Sequence, residues 1–325
     1  VLSNSNAILK KNHIHHNANV GLEIEGANSR SQVLENQINH NGESGMLLLQ
    51  VAGPDLKIMK NNVHHNAFAG IEISCGKGFT LDIHSLGPVE AKRQLEKMIC
   101  RCELIDNKIH DQEQSGISIE GCLAAPLLKG NEVSFNNFAN LEFRHLAHPV
   151  VKQNHIHHSK QHGVLIFRTS DLDSLAEITS QEQLLGQLNH SCVPHFSKNV
   201  INDNVYEGFT IQQMGSTVEF IENDVYRNGS NGLHIGYTSG GSFIGNYVHH
   251  NTMSGIRCFS SGSSHLYFGN NRVESHTVGP MPPSTPTDRS FGVGLFLLNI
   301  MDTAPTVVFK DMQIAYNTHD QIEEV

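Results

Sequence analysis

The sequence predicts an all-β fold: a right-handed, single-stranded parallel β-helix of about ten or eleven stacked coils, with two short helical insertions. Three observations predict it. A spaced Asn-x-Ile/Val pattern with a Gly nine residues after the Asn recurs along the chain. An alternating apolar segment follows each Gly. Helices of the length that separates strands in βαβ folds are missing from the repeat.

The pattern starts at Asn12 (Ile14, Gly21), Asn36 (Ile38, Gly45) and Asn61 (Val63, Gly70). It returns at Asn107 (Ile109, Gly116), Asn131 (Val133, with Asn140 in the glycine place) and Asn154 (Ile156, Gly163). It continues at Asn199 (Ile201, Gly208), Asn223 (Val225, Gly232) and Asn246 (Val248, Gly255). Asn271 begins an interrupted copy, and Asp311 and Asp320 keep the interval in a degraded last one. Successive intervals are 24, 25, 46, 24, 23, 45, 24, 23 and 25 residues, the two long ones being a coil plus an insertion.

After each Gly the chain alternates, as in Leu22-Glu23-Ile24 and Ile71-Glu72-Ile73, which marks a strand with one buried face. A second short strand precedes the Asn (Gln32-Val33-Leu34) and a third carries the Ile or Val after it. Coils stack about 4.8 Å apart with parallel pairing. The Asn column suits a turn that needs left-handed geometry, and stacked amides can bond one another along the axis. A second column lies five residues on, at Asn17, Asn41, Asn66, Asn136, Asn204, Asn228 and Asn251.

One β-helix domain therefore spans 1–325, with insertions at 76–100, 171–195 and 275–291. The first two read as helices. Leu95, Met98 and Ile99 fall at helical spacing in one; Ile178, Leu184, Leu185 and Leu188 mark the other, with Ser174 as cap and Glu177 in the capping-box place. Both leave the same strand and are expected on one side. The third is rich in Pro and Ser.

The net charge of −10 argues against a nucleic-acid binder. No apolar run approaches the roughly 18 residues of a membrane span. The chain opens on Val1 inside a repeat, so it reads as part of a longer chain or complex. Six cysteines without a disulfide-scaffold spacing suggest reduced thiols and an intracellular setting.

Of the 22 histidines, His15-His16, His64-His65, His157-His158 and His249-His250 occupy equivalent turn positions, with His40 and His110 extending the set. No Cys or carboxylate completes a metal cage, so they read as stacked turn residues, and neither metal nor cofactor is implied. Outward wall positions hold Glu23, Glu72, Glu142 and Arg257, then Glu25, Glu120 and Arg144, with an apolar stripe of Leu47, Leu165, Phe167, Phe259 and Phe296. No file holds adjacent acids, because Leu47 separates Glu23 from Glu72. Glu23, Leu47, Glu72, Glu142, Arg144, Leu165, Phe167, Arg257 and Phe259 are accordingly the candidate partner-binding residues, with no catalytic set.

Stretches such as Ile8-Leu-Lys-Lys-Asn-His-Ile-His-His-Asn-Ala-Asn-Val-Gly-Leu-Glu-Ile24 resemble the pectin-lyase-like carbohydrate-binding and sugar-hydrolase repeats. They look most like those of F-box proteins with β-helix repeats and of SHC-binding, spindle-associated proteins. The resemblance implies a non-catalytic scaffold that binds a protein partner along the wall or the insertions, extending to substrate recruitment for a cullin-based ubiquitin ligase. No F-box or zinc-finger tail is seen in the sequence. The alternatives are a polysaccharide lyase, hydrolase or epimerase, and a structural component of a cytoskeletal assembly. The Asp-rich trios of polygalacturonases and the Asp-Pro-His-Glu signature of alginate epimerases are absent.

Overall fold

The computed structural model describes residues 1–76, 80–167, 172–188, 191–212, 217–236, 239–260, 265–276, 293–299, 306–317 and 322–324. The strands form three parallel sheets of 12, 11 and 11 members, each coil giving one strand to each sheet. The first sheet takes the segment after the glycine (Leu22–Glu25, Met46–Leu49, Ile71–Ser74). The second takes the segment before the ladder Asn (Gln32–Leu34, Lys57–Met59), and the third the segment after it (Gln37–Asn39, Asn62–His64). The chain divides into two units: Val1–Val133 with Glu142–Lys152 and Arg168–Pro194, and Ser134–Leu141 with Gln153–Phe167 and His195–Val325.

In the first unit Ile24, Leu48, Ile73 and Ile119 stand in register and are fully buried. In the second the inward file next to the wall glycine is Val164, Phe209, Leu233, Ile256 and Leu295. The second unit also fills its interior with Phe196, Phe209, Phe220, Phe243 and Phe268. Period-two alternation sends every second side chain of these strands inward, which is why the apolar residues fall on one face.

The asparagine column is an amide ladder. In the first unit the N–H and Nδ2 of Asn36 both donate to Asn61 Oδ1 at 2.9 Å, and Asn61 does the same to Asn107 at 3.0 Å. The second hydrogen on Nδ2 goes to a backbone carbonyl, Val33 for Asn61 at 2.8 Å. The second unit repeats the arrangement through Asn154, Asn199, Asn223, Asn246 and Asn271. These amides are buried, so each unmade bond would cost about 1–3 kcal/mol. One expectation needs correcting: the ladder Asn does not itself adopt the left-handed turn. The residue before it does, with φ of 56° at Glu35, 55° at Lys60 and 53° at Glu222. Asn is selected for its amide alone. A second ladder runs through Asn17, Asn41, Asn66 and Gln112 in one unit, and through Asn204, Asn228, Asn251 and His276 in the other.

The wall glycine is set by close approach. A Cβ on Gly45 would meet Gly70 O at 2.7 Å and Asn66 Nδ2 at 2.8 Å, so a side chain there would push the coils apart.

Among the described residues three helices interrupt the coils: α1 (Ile83–Leu86), α2 (Pro88–Met98) and α3 (Leu172–Gln187). Pro stands at the start of α2, where its missing N–H costs nothing. Helix α2 buries Ala91 and Leu95, with Ile99 just beyond it, whereas Met98 is exposed, unlike the apolar face the spacing suggested. Helix α3 buries Leu185, with Leu188 buried just beyond it, and Gln181 Nε2 donates to Gly76 O at 3.0 Å. Both helices belong to the first unit. The side chains of Ser174, Glu177 and Ile178, and nearly all of the 275–291 insertion with Asp320, lie outside the described residues. No helix among the described residues is long and apolar enough to cross a membrane. All six cysteines are free.

Candidate functional site

The outward side of the first sheet carries the titratable groups, because alternation places there the residue two after each wall glycine. The residue just before that glycine ends the preceding turn and flanks this file. In the first unit the file reads Glu23, Leu47, Glu72 and Ser118, with the first three half-buried. Ser44 Oγ, before its glycine, donates to Glu72 Oε2 at 2.9 Å, and Ser115 Oγ likewise to Glu142. Arg144 bridges the carboxylates of Glu142 (3.5 Å) and Glu120 (3.6 Å) and donates to Ser118 Oγ at 3.1 Å. Glu120 is also paired with His145 Nδ1 at 2.8 Å. Thus Glu142 and Arg144 are brought together, and their charges are largely spent on each other and on local hydroxyls.

The second unit differs. Its file reads Leu165, Thr210, His234, Arg257 and Phe296. Beside it, before the wall glycines, stand His162, Glu207, Asn231 and Ser254. The Glu207 carboxylate sits between two imidazoles: Oε2 lies 3.0 Å from His162 Nδ1, and Oε1 lies 3.9 Å from His234 Nδ1. Ser230 Oγ donates to Oε1 at 2.8 Å, and Asn231 Nδ2 at 3.4 Å. Burial works to raise the Glu207 carboxyl, but the facing His162 and His234 imidazoles outweigh it and hold the group well below the usual carboxylate range. An ionised glutamate therefore faces the Nδ1 side of both rings as a charge partner, His162 being the nearer. Neither Nε2 makes a hydrogen bond among the described residues.

Around this group, the Arg257 guanidinium packs 4.7 Å from the Phe259 ring and 5.8 Å from Phe296. His234 lies 5.4 Å from Phe259. Tyr206, about half exposed at 49%, places its ring 5.7 Å from His162. Thr210 is fully buried and its hydroxyl has no partner among the described residues. Of the residues expected from sequence, Arg257 and Phe259 join this group and Leu165 stands at the top of its file, while Phe167 lies one outward position along, opposite Gln212.

His162, Glu207 and His234 were missed as site residues. Aligning the coils on their glycines would have put His162 directly over Glu207.

No group of three or more His, Cys, Asp or Glu among the described residues is arranged to hold a metal ion. A family model described as right handed beta helix region matches residues 1–84, 99–240 and 177–317. The chain belongs to the right-handed β-helix family. No curated protein sequence matches this β-helix. Among solved structures it is similar to the periplasmic alginate epimerase AlgG, at 16% identity over 94% of this chain and 76% of that one, with a TM-score of 0.46. It is also similar to the Azotobacter vinelandii mannuronan C-5 epimerase AlgE4 A-module, at 11% identity over 97% and 90% of the two chains, with a TM-score of 0.49. Likeness at this level concerns the path of the β-helix backbone and says nothing of its chemistry.

Proposed function

We propose that the chain acts on a polysaccharide by acid–base chemistry at His162, Glu207 and His234. The observation that carries this reading is the carboxylate held ionised between two imidazoles whose outer nitrogens are uncommitted. An imidazole oriented by a carboxylate is a general base at neutral pH. Hydrolysis through a carboxylate pair is disfavoured at this group, since Glu207 is its one carboxylate among the described residues and is kept from carrying a proton. Proton abstraction beside a sugar carboxylate fits better. His162 Nε2 takes the ring proton, the C–H electron pair moves toward the carboxylate, and Arg257 offsets the charge that develops. His234 then returns a proton, either to the opposite face of the ring carbon or to the departing glycosidic oxygen as the carbon–oxygen bond breaks.

The test is incubation with alginate and with polygalacturonate in D2O. Proton NMR reads exchange at the ring carbon next to the carboxylate, and ultraviolet absorbance reads an unsaturated product. The native chain is expected to exchange or cleave one of them, and His162→Gln to lower the rate by about 10²-fold or more. Absence of exchange and cleavage on both, or an unaffected variant, overturns the reading.

The first unit favours a second reading, the protein-recognition scaffold. Its wall carries Leu47 between Glu23 and Glu72, and its Glu142–Arg144–Glu120 network is internally paired, which suits contact rather than reaction. A partner captured by the native chain and lost on Leu47→Asp would support it. Recruitment to a ubiquitin ligase rests on the sequence resemblance.

A further inference from the structure

The first unit holds a second group of reactive side chains that the acid–base site does not use. Cys75, Cys100 and Cys102 meet in its interior, each no more than 1% exposed. Cys100 Sγ lies 3.6 Å from Cys102 Sγ, and the Cys75 and Cys100 thiols also bond each other. Cys75 follows the strand Ile71–Ser74, and Cys100 comes shortly before the strand Glu103–Ile105. Helices α1 and α2 lie between them, so the two thiols stand at the exit and the return of one insertion.

One residue of the next coil ties both cysteines. Leu123 N–H donates to Cys75 O at 3.2 Å, and Leu123 O accepts the Cys100 N–H at 2.8 Å. Cys75 N–H donates to Glu120 O at 3.0 Å, and Arg101 N–H to Gly53 O at 3.1 Å. The base of the insertion is therefore fixed. The insertion itself is attached more lightly: α2 buries Ala91 and Leu95, while Val89 and Met98 are exposed.

Cys75 is a better disulfide partner for Cys100 than Cys102 is. Residues 100–102 run extended, their amides alternating between the coils on either side. Extended residues two apart have Cα atoms about 6.6 Å from each other, close to the upper limit that a disulfide spans. Cys75 and Cys100 come from separate stretches of chain and carry no such restriction. The three thiols also differ in acidity. Hydrogen bonding with Cys102 and then with Cys75 draws the Cys100 thiol well below the ordinary thiol range despite its burial. Bonding to Cys100, and then burial, push Cys75 and Cys102 up. Cys100 is the first of the three to ionise, and the thiolate is the form that attacks a peroxide.

We propose that Cys75 and Cys100 are an oxidation site, at which hydrogen peroxide forms a reversible disulfide that staples the base of the α1–α2 insertion. The Cys100 sulfur attacks one peroxide oxygen, the O–O bond breaks, and the departing hydroxide takes the thiol proton to give water and a sulfenic acid. The Cys75 sulfur then attacks the Cys100 sulfur. The S–O bond breaks, and its oxygen leaves with the Cys75 proton as a second water. Two thiols lose two electrons and two protons, and one peroxide becomes two waters. The oxidant enters when α2 lifts off, a local opening that leaves the coils intact. The crosslink then restricts the lifted state and favours the docked one.

The test uses the full chain, reduced with dithiothreitol, freed of it and exposed to hydrogen peroxide at about pH 7.5. Alkylation with N-ethylmaleimide in denaturant, followed by intact-mass and peptide mapping, counts the thiols and locates any crosslink. Expected are loss of two of the six thiols, a peptide pair joined through Cys75 and Cys100, and recovery of both thiols with dithiothreitol. Amide exchange over 89–98 should slow about tenfold or more in the oxidised chain. Leu95→Ala should form the crosslink about tenfold faster, and Cys102→Ala should still form it, with a melting curve to check that each folds. Retention of all six thiols, a crosslink joining Cys100 to Cys102, sulfinic acid in place of a crosslink, or unchanged exchange over 89–98 overturns the proposal. An unaltered rate in folded Leu95→Ala, or no crosslink in folded Cys102→Ala, overturns it as well. No glycan enters the test, so its outcome is independent of the acid–base site.

Discussion

Replacing His276 by Asn should remove a defined part of the acid sensitivity of the second unit. His276 stands where the second ladder elsewhere has an amide, and it is fully buried. Its Nδ1 accepts the Asn251 N–H at 3.2 Å, and its Nε2 lies 3.2 Å from the Val248 carbonyl, to which it donates. Only the neutral ring can do both, because protonation turns the acceptor into a second donor. Burial is the largest cause that lowers its pKa to about 4, with His249 and His250 adding to it. An unfolded histidine titrates near 6.5, so between that value and about 4 the unfolded state binds more protons. Stability is therefore fully present above about 6.5 and falls as the pH drops toward 4. The fall from about 6.5 to about 4 corresponds to about 3 kcal/mol at full extent, and to about 1 kcal/mol at pH 5.5. Urea unfolding at pH 7, 5.5 and 4.5 on both chains measures it, with hydrogen exchange of the Asn251 amide as the local probe, since solenoids can open in parts. His276→Asn should lose less stability on acidification by those amounts. Parallel losses in the two chains would refute the reasoning.

Asn223→Ala should cost about 2–4 kcal/mol, because it orphans the Asn199 N–H and Nδ2 and the Asn246 partnership at once; a thermal or urea melt reads it. Gly163→Ala would set a Cβ 2.5 Å from Gly208 O and 2.7 Å from Asn204 Nδ2, so a loss of about 1–3 kcal/mol is expected in the same assay. Leu95→Ala, at a fully buried position on α2, should lower stability by about 2–5 kcal/mol, and exchange of the amides of 89–98 should rise if docking holds the helix. His162→Gln should suppress exchange on the acidic glycan while leaving the melting curve close to native, since Glu207 keeps its bonds to Ser230 and Asn231.

The coil architecture was legible because it is written in columns. Asn36, Asn61 and Asn107 recur at fixed offsets from Gly45, Gly70 and Gly116, and only vertical stacking needs that regularity. The second ladder was less visible where its residue type changes. Gln112 spans the extra reach with one more methylene, and His276 imitates an amide with its two ring nitrogens. The acid–base site was hidden for a different reason. His162, Glu207 and His234 are each unremarkable within a coil, and their relation exists only between neighbouring coils, where one lies before a glycine and another two after. Glu142 and Arg144 were found because they lie on one strand, two residues apart.

The amide ladders point one way. The Nδ2 groups of Asn36, Asn61 and Asn107 in one unit, and of Asn199 and Asn223 in the other, each reach toward the amide oxygen of the following coil, so these small amide dipoles add instead of cancelling, as peptide dipoles do in a helix. Each unit thereby gains a donor pole and an acceptor pole. Coils can be duplicated or deleted during evolution without disturbing that polarity, but a reversed coil would set donor against donor. Growth of such a column has a built-in arrow.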